Sequence, residues 1–80
     1  MNNMQNRYMV IALNLDKVER ALKKEWPDKH AYSIMRQFVG TEKNPPKLCF
    51  GDALVIRDVL ILHGCVFFID FYIKKIKDCV

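Results

Sequence analysis

Lys74, Lys75 and Lys77 place three positive charges within four residues at the end of a strongly apolar run, the sharpest concentration of charge in the chain. Clustered ammonium groups suit phosphate, and over all 80 residues 13 Lys and Arg stand against 9 Asp and Glu, a net charge of +4. That balance favours encounter with polyanions, either nucleic acid or an acidic protein. Both halves carry both signs, so there is no basic tail. A second group, Lys29, His30, Tyr32, Ser33, Arg36 and Gln37, falls on the polar side of a predicted helix that follows Trp26-Pro27-Asp28. Arg36 and Gln37 are base-reading types, which admits a helix-turn-helix DNA-binding regulator, although the turn lacks a glycine. A third group, Cys49, His63, Cys65 and Cys79, has side chains acceptable to zinc. Its spacing is irregular and contains no C-x-x-C knuckle, so buried free thiols are the plainer reading and no metal is expected. With no Ser-His-Asp order, P-loop or dinucleotide fingerprint, no cofactor is expected either.

These residues must be positioned by one small domain of mixed structure. Tyr8–Leu13 is a short β-prone apolar run that suits a buried strand, after a loose segment 1–7. Leu15, Val18, Leu22 and Trp26 then recur at helical spacing against a charged opposite face, with Asp16 and Glu19 as a capping-box variant and Asp16/Arg20 and Glu19/Lys23 as favourable pairs. Pro27 interrupts this helix. Asp28 can cap a second one, striped by Ala31, Ile34, Met35 and Phe38 and ended by Gly40. Residues 41–47, centred on Asn44-Pro45-Pro46, form a loop. Asp52–His63 fits either a capped helix ending at Gly64 or, favoured by its β-branched content, a strand over Val59–Leu62 turning at His63-Gly64. Cys65, Phe67, Ile69, Phe71 and Ile73 alternate with a mixed face, a period-two strand signal. The expected architecture is α+β: an N-terminal strand, two helices, then a two- or three-stranded antiparallel sheet packed on the helices.

This order, the phrase PDKHAYSIMRQF leading into a Pro-containing loop, and the terminal VFFIDFYIKKIKD resemble the RelE/HigB/ParE superfamily of small toxins, over about Tyr8–Asp78. HigB-like members commonly end in an apolar strand followed by an aromatic residue and paired lysines, here Phe71-Tyr72-Ile73-Lys74-Lys75. The resemblance implies a ribosome-associated mRNA endonuclease, or a gyrase binder, neutralised by an antitoxin. In such a protein Lys74, Lys75 and Lys77 would clamp phosphate and stabilise transition-state charge, Tyr72 would stack on a base or act as an acid, His63 would shuttle a proton and Arg57 would contact phosphate. The chain departs from the pattern by ending soon after the lysines and by carrying few arginines near the strand.

Each residue also has a plain structural role available: a solvated strand end for the lysines, a sheet position for Tyr72, a turn for His63 and a local ion pair for Arg57 and Asp58. Another class is therefore open, a viral or mobile-element protein that inhibits or regulates a host protein by direct binding. An odd cysteine count and a polar N-terminus lacking an apolar stretch point to a reducing, cytoplasmic setting. Ala53–Ile73 is a poor membrane span because it contains Arg57, Asp58, His63 and Asp70, and central charges cost roughly 2.5–3.5 kcal/mol each. A chain of this length buries only about 60–65% of its unfolded surface, so a homodimer or an obligate partner is expected, with Val66, Phe68 and Tyr72 at the interface.

Overall fold

The computed structural model describes residues 7–46 and 53–76. The fold is α+β: in chain order β1 (Arg7–Ala12), α1 (Leu15–Glu25), α2 (Lys29–Arg36), β2 (Val39–Gly40), α3 (Ala53–Leu62) and β3 (Phe71–Ile76). The strands form one sheet in the order β2-β1-β3. β1 pairs with β3 antiparallel, Arg7 opposite Ile76 through Ala12 opposite Phe71, and with β2 in parallel through Val10–Val39 and Ile11–Gly40. The sheet is thus mixed rather than purely antiparallel, and a third helix joins the two expected. Among the described residues no helix is long and apolar enough to cross a membrane.

Local chemistry explains the helix ends. Asn14, not Asp16, caps α1, its side chain accepting from the Lys17 N–H at 3.2 Å. Asp16 instead pairs with Arg20 one turn on, and Glu19 reaches Arg36 on α2 rather than Lys23. Asp28 caps α2 as expected, accepting from Ala31 N–H at 2.9 Å. α2 ends at Arg36 with Gln37 as its cap, so Gly40 does not terminate it and lies in β2 instead. The segment favoured as a strand is helical. α3 closes with Gly64 at φ +97°, where Gly64 N–H bonds the Ile61 carbonyl at 3.0 Å and Cys65 N–H the Leu60 carbonyl at 2.9 Å. That paired pattern is a Schellman closure, which needs the left-handed backbone glycine accepts. The positive φ expected at Gly64 therefore ends a helix rather than turning a hairpin.

The strand expected over Cys65–Ile73 begins only at Phe71. Residues 66–70 make a tight turn, Asp70 N–H bonding the Val66 carbonyl at 2.7 Å and Phe68 N–H the Phe71 carbonyl at 2.6 Å. Phe68 sits at φ +70°, a conformation that costs a bulky residue on the order of 1–3 kcal/mol and persists only where its surroundings impose it. Here Asp70 does so. Its carboxylate, buried, accepts Val66 N–H at 2.8 Å and the Lys17 ammonium at 2.9 Å, while its carbonyl takes the N–H groups of Leu13 and Asn14. One residue thereby joins the turn to the β1–α1 corner. Alternation fails across the turn: Phe67 packs edge-on against Phe71, but Ile69 is exposed.

Val10, Ala12, Val39 and Phe71 on one face of the sheet meet Val18, Ala21 and Leu22 of α1 and Ile56 and Leu60 of α3. α2 contributes no buried residue; Tyr32 and Met35, with Phe38 beyond its end, pack on the margin of this core, and Ile34 is exposed. Among the described residues the helices therefore occupy one side of the sheet and the 41–46 loop lies on the other.

Candidate nucleic-acid face

Successive residues of a strand point to opposite faces, and β3 obeys this rule. Phe71 and Ile73 turn inward with their partners Ala12 and Val10, so Tyr72 and Lys74, opposite Ile11 and Met9, share the outer face. Lys75, opposite Tyr8, belongs to the helix side. The lysine cluster is thus divided by the sheet, and Lys77 lies outside the described residues.

Thr41, Glu42 and Pro45 of the loop after β2 join Met9, Ile11, Tyr72 and Lys74 around a depression of about 300 Å³. The loop is braced by Thr41, whose N–H donates to the Asn44 carbonyl at 2.9 Å and whose hydroxyl accepts from Asn44 N–H at 3.1 Å. Beneath it Ile11 is almost wholly covered although it faces away from the helices. Gly40 allows this close approach: a methyl group there would lie 2.5 Å from the Asn44 carbonyl oxygen and 2.7 Å from the Pro45 carbonyl carbon. Tyr72 donates its hydroxyl proton to Glu42 at 2.8 Å. That bond, aided by burial and by the negative charge of Glu42, raises the phenol above its ordinary range and makes it a poor proton donor.

His63 is not part of this face. It follows α3, with its Nε2 2.9 Å from Glu25 Oε1 at the end of α1. Arg57 lies on α3, its guanidinium 3.5 Å from the neighbouring Asp58. Of the six residues expected to serve in cleavage, the fold brings together Tyr72 and Lys74, sets Lys75, His63 and Arg57 on the helix side, and has Lys77 outside the described residues.

Arg36 holds the helical layer together, donating through Nε to Glu19 at 2.9 Å and through Nη1 to the Val39 carbonyl at 2.6 Å. Reading a base edge would require giving up both bonds. Gln37 caps α2, and Lys29 opens it on the exposed side. Of the expected interface residues, Val66 and Phe68 are exposed on the 66–70 turn, whereas Tyr72 points onto Glu42. Cys49 and Cys79 lie outside the described residues. Cys65 is buried, its thiol raised by that burial and by Asp70, and among the described residues no group of three or more metal-ligating side chains converges.

Of the charge pairings the sequence offered Asp16 with Arg20, Arg57 with Asp58 and the Asp28 cap, while those between elements were not legible in it. Each described carboxylate is engaged: Asp16 with Arg20, Glu19 with Arg36, Glu25 with His63, Asp28 in its cap, Glu42 with Tyr72, Asp58 with Arg57 and Asp70 with Lys17. Among the described residues Lys23, Lys24, Lys29, Lys43, Lys74 and Lys75 make no ion pair, and all are exposed. Glu42 and Thr41, which complete the face around Tyr72 and Lys74, carried no local sign of that role. Comparison with models of known protein families, with curated proteins and with solved structures finds no match to this chain.

Proposed function

We propose that this chain is a small basic protein that binds RNA on the outer face of its sheet, in the manner of a toxin-like factor acting on RNA or the translation machinery. The observation that carries the reading is the pairing of Tyr72 and Lys74 side by side on the sheet face that the helices leave open. An aromatic ring beside an ammonium group is a minimal platform for a single strand: the ring stacks on a base and the lysine meets the phosphate. The net charge of +4 supplies the long-range attraction, and among the described residues six exposed lysines make no ion pair and can meet phosphate directly. The role assigned is binding rather than cleavage, since Glu42 retains the Tyr72 proton and His63 is engaged with Glu25.

Fluorescence titration of a single-stranded RNA and of duplex DNA at several salt concentrations tests this. RNA should bind at low salt, with Lys74→Ala weakening it and reducing the salt slope by about one. Tyr72→Phe should bind like the wild type, and Tyr72→Ala should lose roughly 1–3 kcal/mol. Absence of RNA binding at low salt would sink the proposal, and a preference for duplex DNA would move the function to the regulator class. Induced expression in bacteria checks the toxin-like part: growth arrest relieved by Lys74→Ala is expected, and harmless accumulation contradicts it.

A further inference from the structure

We infer that the chain forms a twofold homodimer through the outward face of α3 and the 66–70 turn, a surface separate from the proposed RNA face. α3 reads ALVIRDVLIL, apolar on nearly every side. Its Ile56 and Leu60 are fully buried, yet Val55 and Ile61 are nearly half exposed and Leu62 is 74% exposed. The turn continues this character: Phe68 is 71% exposed, Ile69 68%, and Val66 is open beside them. A helix apolar all round is ordinarily covered on all sides, and an extended apolar surface on a small protein marks a contact site. Phe68 adds a second observation. Its left-handed backbone is held by the Phe71 carbonyl and by the Asp70 brace, and its ring packs against Phe67 at 4.3 Å between centroids, so a large ring is presented outward from a fixed backbone. Such a ring binds with little further loss of conformational freedom.

Charge points to a second copy as the occupant. α1 carries four basic against three acidic residues, α2 adds Lys29 and Arg36, and β3 adds Lys74 and Lys75. α3 alone among the helices balances, with one Arg57 and one Asp58. Two molecules of net charge +4 repel across any lysine-bearing face and meet with least penalty across this one. An acidic partner would be drawn to the lysines instead. The two charges are also self-complementary. Arg57 and Asp58 are 3.5 Å apart within one chain, and both side chains remain open to solvent, 39% and 69% exposed. In an antiparallel α3 pair whose axis passes between Arg57 and Asp58, Arg57 of each copy meets Asp58 of the other. This is the reciprocal contact a twofold interface requires.

Sedimentation equilibrium of the full chain over a wide concentration range tests the inference. The wild type should fit a monomer–dimer equilibrium, and Phe68→Lys should weaken it by at least about tenfold. Phe68→Gly removes the ring and relaxes the backbone, so at concentrations where both proteins are monomeric it should melt higher than the wild type, while at higher concentrations it dimerises less, which separates an interface role from a folding role. Arg57→Asp and Asp58→Arg should each be monomeric alone and dimerise when mixed, a result that only contact between copies produces. A wild type that stays monomeric at the highest concentration, or a dimer indifferent to Phe68→Lys and to the charge reversals, overturns the inference. So does protection of Phe68 by a different protein while the chain itself stays monomeric. None of these outcomes depends on RNA, so the dimer and the RNA face stand or fall separately.

Discussion

Lys17 and Asp70, separated by 53 positions, meet at 2.9 Å and tie the first turn of α1 to the turn that precedes β3. Asp70 is buried while Lys17 is only partly covered, so the ammonium keeps contact with water and compensates a carboxylate that does not. The same carboxylate fixes Val66, which makes this pair a structural joint rather than a surface ion pair.

Acid should loosen that joint. The hydrogen bond from Lys17, then that from Val66 N–H, hold the Asp70 carboxyl below its ordinary value despite burial, and the positive charge of Lys17 adds to this. Its folded pKa therefore lies below the unfolded one, near ~3.9. The contribution to stability is complete above that value and is lost as pH falls through the lower folded value. Thermal melting followed by circular dichroism should show Tm falling in this acid range, with a shallower fall in Asp70→Asn. Asp70→Ala, which also releases Val66, should melt lower than Asp70→Asn at neutral pH.

Gly40→Ala should displace the 41–46 loop. The added methyl meets backbone atoms of Asn44, Pro45 and Pro46, which cannot swing aside as a side chain would. Overpacking of this kind costs about 1–3 kcal/mol, measurable by urea unfolding. Because Thr41, Glu42 and Pro45 line the depression beside Lys74, the variant should also bind RNA less well, whereas a loop unconnected with binding would leave affinity unchanged.

Arg36→Ala should cost about 1–2 kcal/mol, since it breaks two charge-assisted bonds at a partly exposed site. Arg36→Lys should recover little of this, because one ammonium on a flexible stem cannot span Glu19 and the Val39 carbonyl as the planar guanidinium does. Chemical denaturation gives both values. A large loss of sequence-specific DNA binding with unchanged stability would assign Arg36 to base reading instead.

Glu42→Gln removes the carboxylate that holds the Tyr72 proton and, among the described residues, the only acidic group lining the depression on the outer face. The Tyr72 phenol should then titrate lower, toward ~10, as followed by NMR of labelled tyrosine rings. RNA affinity should rise severalfold at low salt and converge with the wild type at high salt, because the gain is electrostatic. Weaker binding in this variant would mean that Glu42 itself contacts the ligand.

Where structure depends on neighbours in the chain, the amino-acid sequence determined it unaided. β1 follows from an isolated β-prone run, α1 from apolar residues at three- and four-residue spacing, the start of α2 from Asp28, and the 41–46 loop from its prolines. Tertiary structure decided the rest. The apolar run over 53–62 satisfies helix and strand alike, and packing of Ile56 and Leu60 against α1 and β1 selects the helix. Alternation at Cys65, Phe67, Ile69 and Phe71 resembles a strand. The chain turns there because Asp70 finds Lys17 and the β1–α1 corner, partners that no local window contains. The place of β3 against β1 likewise sends Lys74 outward with Tyr72 and Lys75 to the helix side. A charge cluster is a property of sequence, but which of its members share a surface is set by strand pairing, and pairing arises from contacts between residues far apart in the chain.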